Sequence, residues 1–320
     1  MSLRARVRLV VAVACAGLLV WGVAGAAGSN GGETAGRTQL GIKGNAERFA
    51  QLTGQRSVIR HVFAGFESGP AARLSKTLEL LRPIPMLAVK SSLLSPLDIA
   101  RGRGDSFLYE LNTALADFGE LVYVRPMPEM NGHWNEYCAF NRDGSSRGSR
   151  YSTAAFRKAF ARIAILSRGG SERELDRQLR KLRLPGVDFD LQPTKARMVW
   201  NPQGYGAPDI PGNSAKAYFP GNAYVDVVAN DLYRQATGAA WEANEALYRA
   251  HPGKPYAIAE WGLWGMDDPA FVERMAVFVK THPRLEFLSY FNSERGSIWD
   301  LETKPRSRAA YRTLITPLGR

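Results

Sequence analysis

A chain of 320 residues with 45% hydrophobic and 22% charged side chains has the composition of a folded globular protein, and excludes a chain disordered over most of its length. The formal charge of +12 falls to +9 when the three arginines of the N-terminal run, Arg4, Arg6 and Arg8, are subtracted. The remaining basic residues are dispersed and form no nucleic-acid motif, so the charge reads as a general surface property rather than a nucleic-acid site.

The first element is an N-terminal run. Arg4, Arg6 and Arg8 precede an apolar stretch from Leu9 to about Ala27 that ends in small residues, the layout of an export signal. Its length of about 19 residues overlaps the roughly 17 to 25 that span a bilayer, so residues 1–27 are a signal peptide or an uncleaved N-terminal membrane anchor. Cys15 inside it reads as a small hydrophobe. Cys138 is then alone, and the chain after the run cannot form an internal disulfide even though export would permit one. Residues 28–37, rich in glycine and small polar residues, read as a flexible leader.

From Thr38 onward, eight short β-rich runs alternate with longer stretches of helical spacing. The runs start at Thr38, Ser57, Ile84, Glu120, Arg197, Tyr224, Tyr256 and Leu285. Helical spacing appears over 46–53, 71–81, 107–118, 153–167, 239–251, 269–282 and 307–315. The charged stretch 168–196 is too long for a plain connection and is expected to hold an inserted helix and a turn. Strand followed by helix, eight times over, predicts an α/β fold: a single (β/α)8 TIM barrel over 38–320, with an open doubly wound sheet as the competing architecture.

In such a barrel the active site forms at the carboxyl ends of the strands. Strand four ends in RPMPEMNGHW and strand seven in AEWGLWG, which puts Glu129 and Glu260 on apolar strand ends across the mouth from each other. A glutamate there costs several kcal/mol if unpaired. Each alone could be a buried ion pair with a neighbour such as Arg125. Two, both flanked by tryptophans, point instead to the pair of carboxyl groups that glycoside hydrolysis needs. Trp134, Trp200, Tyr233, Trp261, Trp264, Tyr290 and Trp299 lie at or just after strand ends, where aromatic faces can stack on sugar rings.

The segment RPMPEMNGHW resembles the strand-four signature of glycoside hydrolase family 26, the β-mannanase family of the retaining (β/α)8-barrel clan. Arg125, Pro126, Glu129, Met130, Asn131, Gly132 and Trp134 match it, and VWNP at 199–202, YVDVVANDLY at 224–233 and AEWG at 259–262 follow in order. The resemblance implies Glu129 as acid/base, Glu260 as nucleophile and retention through a covalent glycosyl-enzyme. It also implies Trp134, Trp200 and Tyr233 at the subsites next to the bond, Asn201 and Asp231 near the cleft, and Arg125 as a partner holding the carboxylates, while the end of strand four itself places Asn131 at the catalytic face. One position departs: Pro128 stands where the family has histidine, which leaves mannan, glucan, xylan and exopolysaccharides all open as substrates.

The expected activity is a secreted or membrane-tethered retaining endo-glycoside hydrolase on a β-linked polysaccharide, with β-mannan as one candidate. Its expected partner is the polysaccharide alone: no nucleic acid, and the membrane only through the N-terminal segment, with a monomeric chain. No metal or cofactor is expected, because His61, His133, His251 and His282 are scattered outside ligand spacing, and no Walker loop or G-x-G-x-x-G occurs. No G-x-S-x-G elbow occurs either. The alternatives are a non-catalytic carbohydrate-binding barrel, and a polymer-trimming component of an exopolysaccharide biosynthesis or export system.

Overall fold

The computed structural model describes residues 38–66 and 71–319. The N-terminal run over 1–27 and the leader over 28–37 lie outside the described residues. Eight strands, β1 (Gln39–Lys43), β2 (Ile59–Gly65), β3 (Ile84–Lys90), β4 (Val122–Pro126), β5 (Ala196–Trp200), β6 (Val227–Arg234), β7 (Tyr256–Leu263) and β8 (Leu285–Phe291), close in sequence order into one parallel barrel. The closure is β1 against β8, with Gln39 opposite Phe287 and Lys43 opposite Phe291. That pairing decides for the (β/α)8 barrel against the open sheet.

Around it lie α1 (Ala46–Thr53), α2 (Ala71–Leu80), α3 (Pro96–Ala100), α4 (Asp105–Phe118), α5 (Thr153–Arg168), α6 (Glu172–Lys181), α7 (Ala215–Tyr218), α8 (Trp241–Ala250), α9 (Pro269–Thr281) and α10 (Pro305–Ala310). Each stretch of helical spacing becomes a helix, with ends set by local chemistry. The Asn45 side chain accepts from the Arg48 amide at 2.8 Å to start α1, and Gly54 ends it in the left-handed region. Ser152 starts α5, and Asp268 followed by Pro269 starts α9. The stretch 307–315 runs from α10 into a π-helical turn at Tyr311–Ile315. The inserted helix is α6, opened by a capping box between Ser171 and Glu174 and fastened by Leu175 and Leu179. The short helix α3, five residues long, has no apolar period to announce it.

Strand parity divides the apolar residues into two layers. Ile59, Met86, Tyr123, Val199, Val227, Ala229, Ala257, Ala259 and Phe287 fill the barrel interior. Their chain neighbours, such as Leu87, Val122, Val124, Met198, Val228 and Ile258, face outward onto the helices in the main core. The parity breaks at one place that matters. Asn230 of β6 pairs with Ile258 of β7, and the next residue, Asp231, pairs with Glu260, so Ala259 is an extra residue in β7. This bulge leaves Ala259 in the interior and turns Glu260 inward as well, with Trp261 facing out.

Candidate active site

At the carboxyl end of the barrel, the interior apolar layer gives way to a charged one. Arg125 follows Tyr123 inward on β4 and is completely buried. Its Nε donates to Asn201 Oδ1 at 3.0 Å, its Nη1 to Glu260 Oε1 at 2.5 Å, and its Nη2 to Asp231 Oδ2. Strands four, five, six and seven are thus tied through one guanidinium. Glu260 takes its second oxygen's bond from the Tyr233 hydroxyl at 2.7 Å, and His61 of β2 lies 3.9 Å from it.

Glu129 is placed by backbone geometry rather than by a strand. Met127 and Glu129, on either side of Pro128, both adopt left-handed φ, at 45° and 54°. Non-glycine residues there cost about 1–3 kcal/mol each and persist only where surrounding bonds enforce them. Here the Glu129 amide donates to Asn201 O at 2.7 Å, and Asn135 Nδ2 donates to Glu129 O at 2.9 Å. The Tyr137 hydroxyl donates to Pro128 O at 2.7 Å. The carboxylate faces the cleft, accepting from Trp134 Nε1 at 2.8 Å and from Gln203 Nε2. Gly132 makes room for that tryptophan: a Cβ on it would lie 2.4 Å from the Trp134 ring.

Three carboxyl groups therefore crowd one guanidinium, and they respond differently. Burial pushes Glu129 above the ordinary carboxylate range, and the nearby Glu260 charge adds to the rise. Burial also acts on Glu260, but Arg125, His61 and the bonds from Arg125 and Tyr233 outweigh it and hold this carboxyl below its usual range. Asp231 is driven well up by burial, which Arg125 opposes and the neighbouring Glu260 and Glu129 reinforce. His61 is pushed down to about 3 by burial, with Glu260 opposing, and so stays neutral. The two cleft glutamates are thus shifted in opposite directions, Glu129 toward holding a proton and Glu260 toward losing it.

Above this layer lies a cavity of about 670 Å³. Glu129, Asp231, Tyr233, Glu260, Trp134, Trp264 and Trp299 line it, together with Phe63, Gln203, Tyr205 and Phe291. Trp134 and Trp264 are about half exposed, and Trp264 packs edge-on against both Tyr233 and Trp299. Among the described residues, no group of three or more His, Cys, Asp or Glu side chains is arranged to hold a metal ion.

Three aromatic residues expected at the cleft are not there, because parity turns them outward. Trp200 is fully buried against Phe219 and His251, Trp261 stacks on Tyr311, and Tyr290 stacks on Phe49. Asn131 is also not a cleft residue. It is fully buried, with Nδ2 donating to the carbonyls of Gln203 and Tyr205 at 2.9 and 3.0 Å, and it fastens the loop after β5. Asn201 is buried below the cleft as a brace for Arg125 and Glu129. Conversely, Gln203, Tyr205, His61, Phe63 and Phe291 reach the site unannounced. His61 and Phe63 follow Ile59 by alternation, and Phe291 follows Phe287, so parity could have found those three.

No protein-family model matches the chain. Endoglucanase H of Acetivibrio thermocellus is 22% identical over 231 residues, which are 68% of this chain and 23% of that protein's length. Solved structures share the fold. A mannanase of Bacillus subtilis superposes with a TM-score of 0.58 at 16% identity, covering 87% of this chain and 85% of the other. A β-mannanase from a protist symbiont of the termite Reticulitermes speratus, complexed with gluco-manno-oligosaccharide, gives 0.52 at 14% identity, with 88% and 87% covered. A family 26 β-mannanase from Bacteroides ovatus gives 0.54 at 13%, with 87% and 88% covered. At these identities the likeness to the solved structures is one of fold.

Proposed function

We propose that this chain is a retaining glycoside hydrolase of the family 26 type, an endo-acting enzyme on a β-linked polysaccharide, with Glu129 as acid/base and Glu260 as nucleophile. The observation that carries this reading is the unequal pair at the barrel mouth. Two glutamates from β7 and from the loop after β4 face one cavity, one held below the usual carboxylate range by Arg125 and Tyr233 and the other raised above it by burial. Protonated Glu129 donates to the glycosidic oxygen as Glu260 attacks the anomeric carbon, releasing the leaving chain and forming a glycosyl ester. Glu129, now ionised, takes a proton from the water that opens the ester and returns both groups to their starting states.

Trp134 and Gln203 hold the Glu129 carboxyl toward the cleft, and Trp134, Tyr233, Trp264 and Trp299 offer faces and edges to sugar rings. Export is part of the same proposal: the run over 1–27 would carry the enzyme across the membrane, and would be cleaved or kept as an anchor. Fractionation of the producing cells and N-terminal sequencing of the recovered protein test that part.

The test of activity is release of reducing ends from mannans, glucans, xylans and bacterial exopolysaccharides, with Glu260→Ala as control. Cleavage of at least one polymer, lost in the variant, is expected. Silence across the panel, or an unchanged variant, contradicts the proposal.

A further inference from the structure

The wall of the cleft formed by β8, β1, β2 and β3 differs from the rest of the site in its charge. Lys43, at the end of β1, is in register with Phe291 on β8 and with His61 on β2, so the three form one row across the barrel mouth. Lys90 ends β3, opposite Gly65 of β2. The Lys43 ammonium lies 4.9 Å from the centre of the Phe291 ring, and that of Lys90 lies 5.0 Å from the Phe63 ring. Both rings line the cavity, and Phe63 is 38% exposed.

Neither lysine forms an ion pair with a described carboxylate. Other cations near the mouth do. Arg125 holds two carboxylates, Arg234 bonds to Asp268 at 2.5 Å, and Arg48 bonds to Asp300 at 2.7 Å. Seating on an aromatic face orients an ammonium without neutralising it. Between the lysines stands His61, buried, with neither ring nitrogen hydrogen-bonded.

The carboxyl groups beneath are already engaged: Glu260 and Asp231 bond to Arg125, and Glu129 accepts from Trp134 and Gln203. Among the described residues, neither lysine is therefore offset by a bonded carboxylate. A sugar packed beside Phe63 and Phe291 would bring its substituents toward the two ammonium groups.

We propose that Lys43 and Lys90 form a subsite for an anionic sugar residue, so that the polymer taken by this cleft carries carboxylates in the manner of a uronate-containing polysaccharide. The proposal rests on the reading of the cleft as a polysaccharide site and names its substrate class.

Calorimetric titration tests it on the Glu129→Gln protein, which binds without turnover. The probes are oligosaccharides of β-1,4-glucan and of glucomannan, each oxidised at C6 to carry carboxylates and each compared with its unoxidised parent. At least one oxidised probe is expected to bind about tenfold or more tighter than its parent, the size of one good charge-assisted contact. Adding Lys43→Met and Lys90→Met should bring that ratio to about one and flatten the salt dependence. Lys76→Met with Lys280→Met, on the exposed faces of α2 and α9, removes the same charge and should leave the ratio intact. Equal affinity for oxidised and parent probes, binding to neither, or an equal effect of the two lysine pairs overturns the proposal. Preference for the oxidised probe with no cleavage by the wild type would sink the hydrolase reading alone. Cleavage of neutral polymers with no preference for carboxylates would sink this proposal alone.

Discussion

At the amino end of the barrel, Glu286 of β8 is held by Arg197 of β5, whose Nη2 donates at 3.0 Å, and by the hydroxyl of Tyr123. At the carboxyl end, Glu260 is held by Arg125 and by the hydroxyl of Tyr233. The same three side-chain types meet in both places. At the amino end, one guanidinium serves one carboxylate through two bonds, and the charges cancel. At the carboxyl end, one guanidinium serves two carboxylates directly with a third close by, and burial with this crowding shifts Glu129 and Asp231 upward while Arg125 holds Glu260 down. A Glu–Arg–Tyr contact thus occurs at both ends, and it is the imbalance of charge beneath an open cavity that sets the carboxyl end apart.

That comparison can be broken most sharply at its centre. Glu260→Ala should lower turnover of the polymer by on the order of 10⁴-fold or more, the scale of removing a nucleophile, with the fold retained by circular dichroism. Loss of tenfold or less would reassign the nucleophile. Glu129→Ala should cost about 10²- to 10⁴-fold on the natural polymer and much less on aryl glycosides whose leaving group needs no proton. Equal losses on both would remove Glu129 from the acid role.

The two arginines give the next contrast. Arg125→Met leaves Glu260 and Asp231 buried without a cation and should cost about 3–5 kcal/mol in urea unfolding, along with activity. Arg197→Met leaves only the more exposed Glu286 and should cost about 1–3 kcal/mol with kcat/KM intact. Similar losses of activity in both would erase the distinction between the two ends.

The smallest effect is on stability against pH. Glu129 and Asp231 bind protons more tightly folded than unfolded, so their contribution is fully present below the unfolded carboxylate range, near 4, and falls as pH rises through their folded values. Glu260 acts oppositely, adding stability above that range and losing it as pH falls through its depressed folded value. Asp231→Asn should therefore flatten the decline of stability as pH rises above about 4. An unchanged slope would mean that Asp231 is ionised in the folded protein.

Much of the fold was legible because eight strands and their helices follow strict apolar periods. The short α3 and α7 lack such a period and gave no sign. For the site, the rule that strand ends carry chemistry picked out Glu129 and Glu260, and the family resemblance added Asp231 and Arg125, but the rule ignored parity. Trp200, one residue after inward Val199, had to face the helices, and so did Tyr290. For Trp261 parity alone would have failed, because the extra residue Ala259 shifts the alternation of β7 and no local sequence feature marks it. Gln203 and Tyr205 reach the cleft on a loop whose path depends on buried Asn131, a contact between segments 72 and 74 residues apart.

The most direct test is trapping. A 2-deoxy-2-fluoro glycoside of a sugar released from the cleaved polymer slows opening of the glycosyl ester enough for the labelled protein to be digested and mapped by mass spectrometry. The label is expected on the peptide containing Glu260, and a product of retained configuration is expected from the unmodified substrate. A label on Glu129 or Asp231, or inversion at the anomeric carbon, would contradict the assignment of Glu260 as the nucleophile.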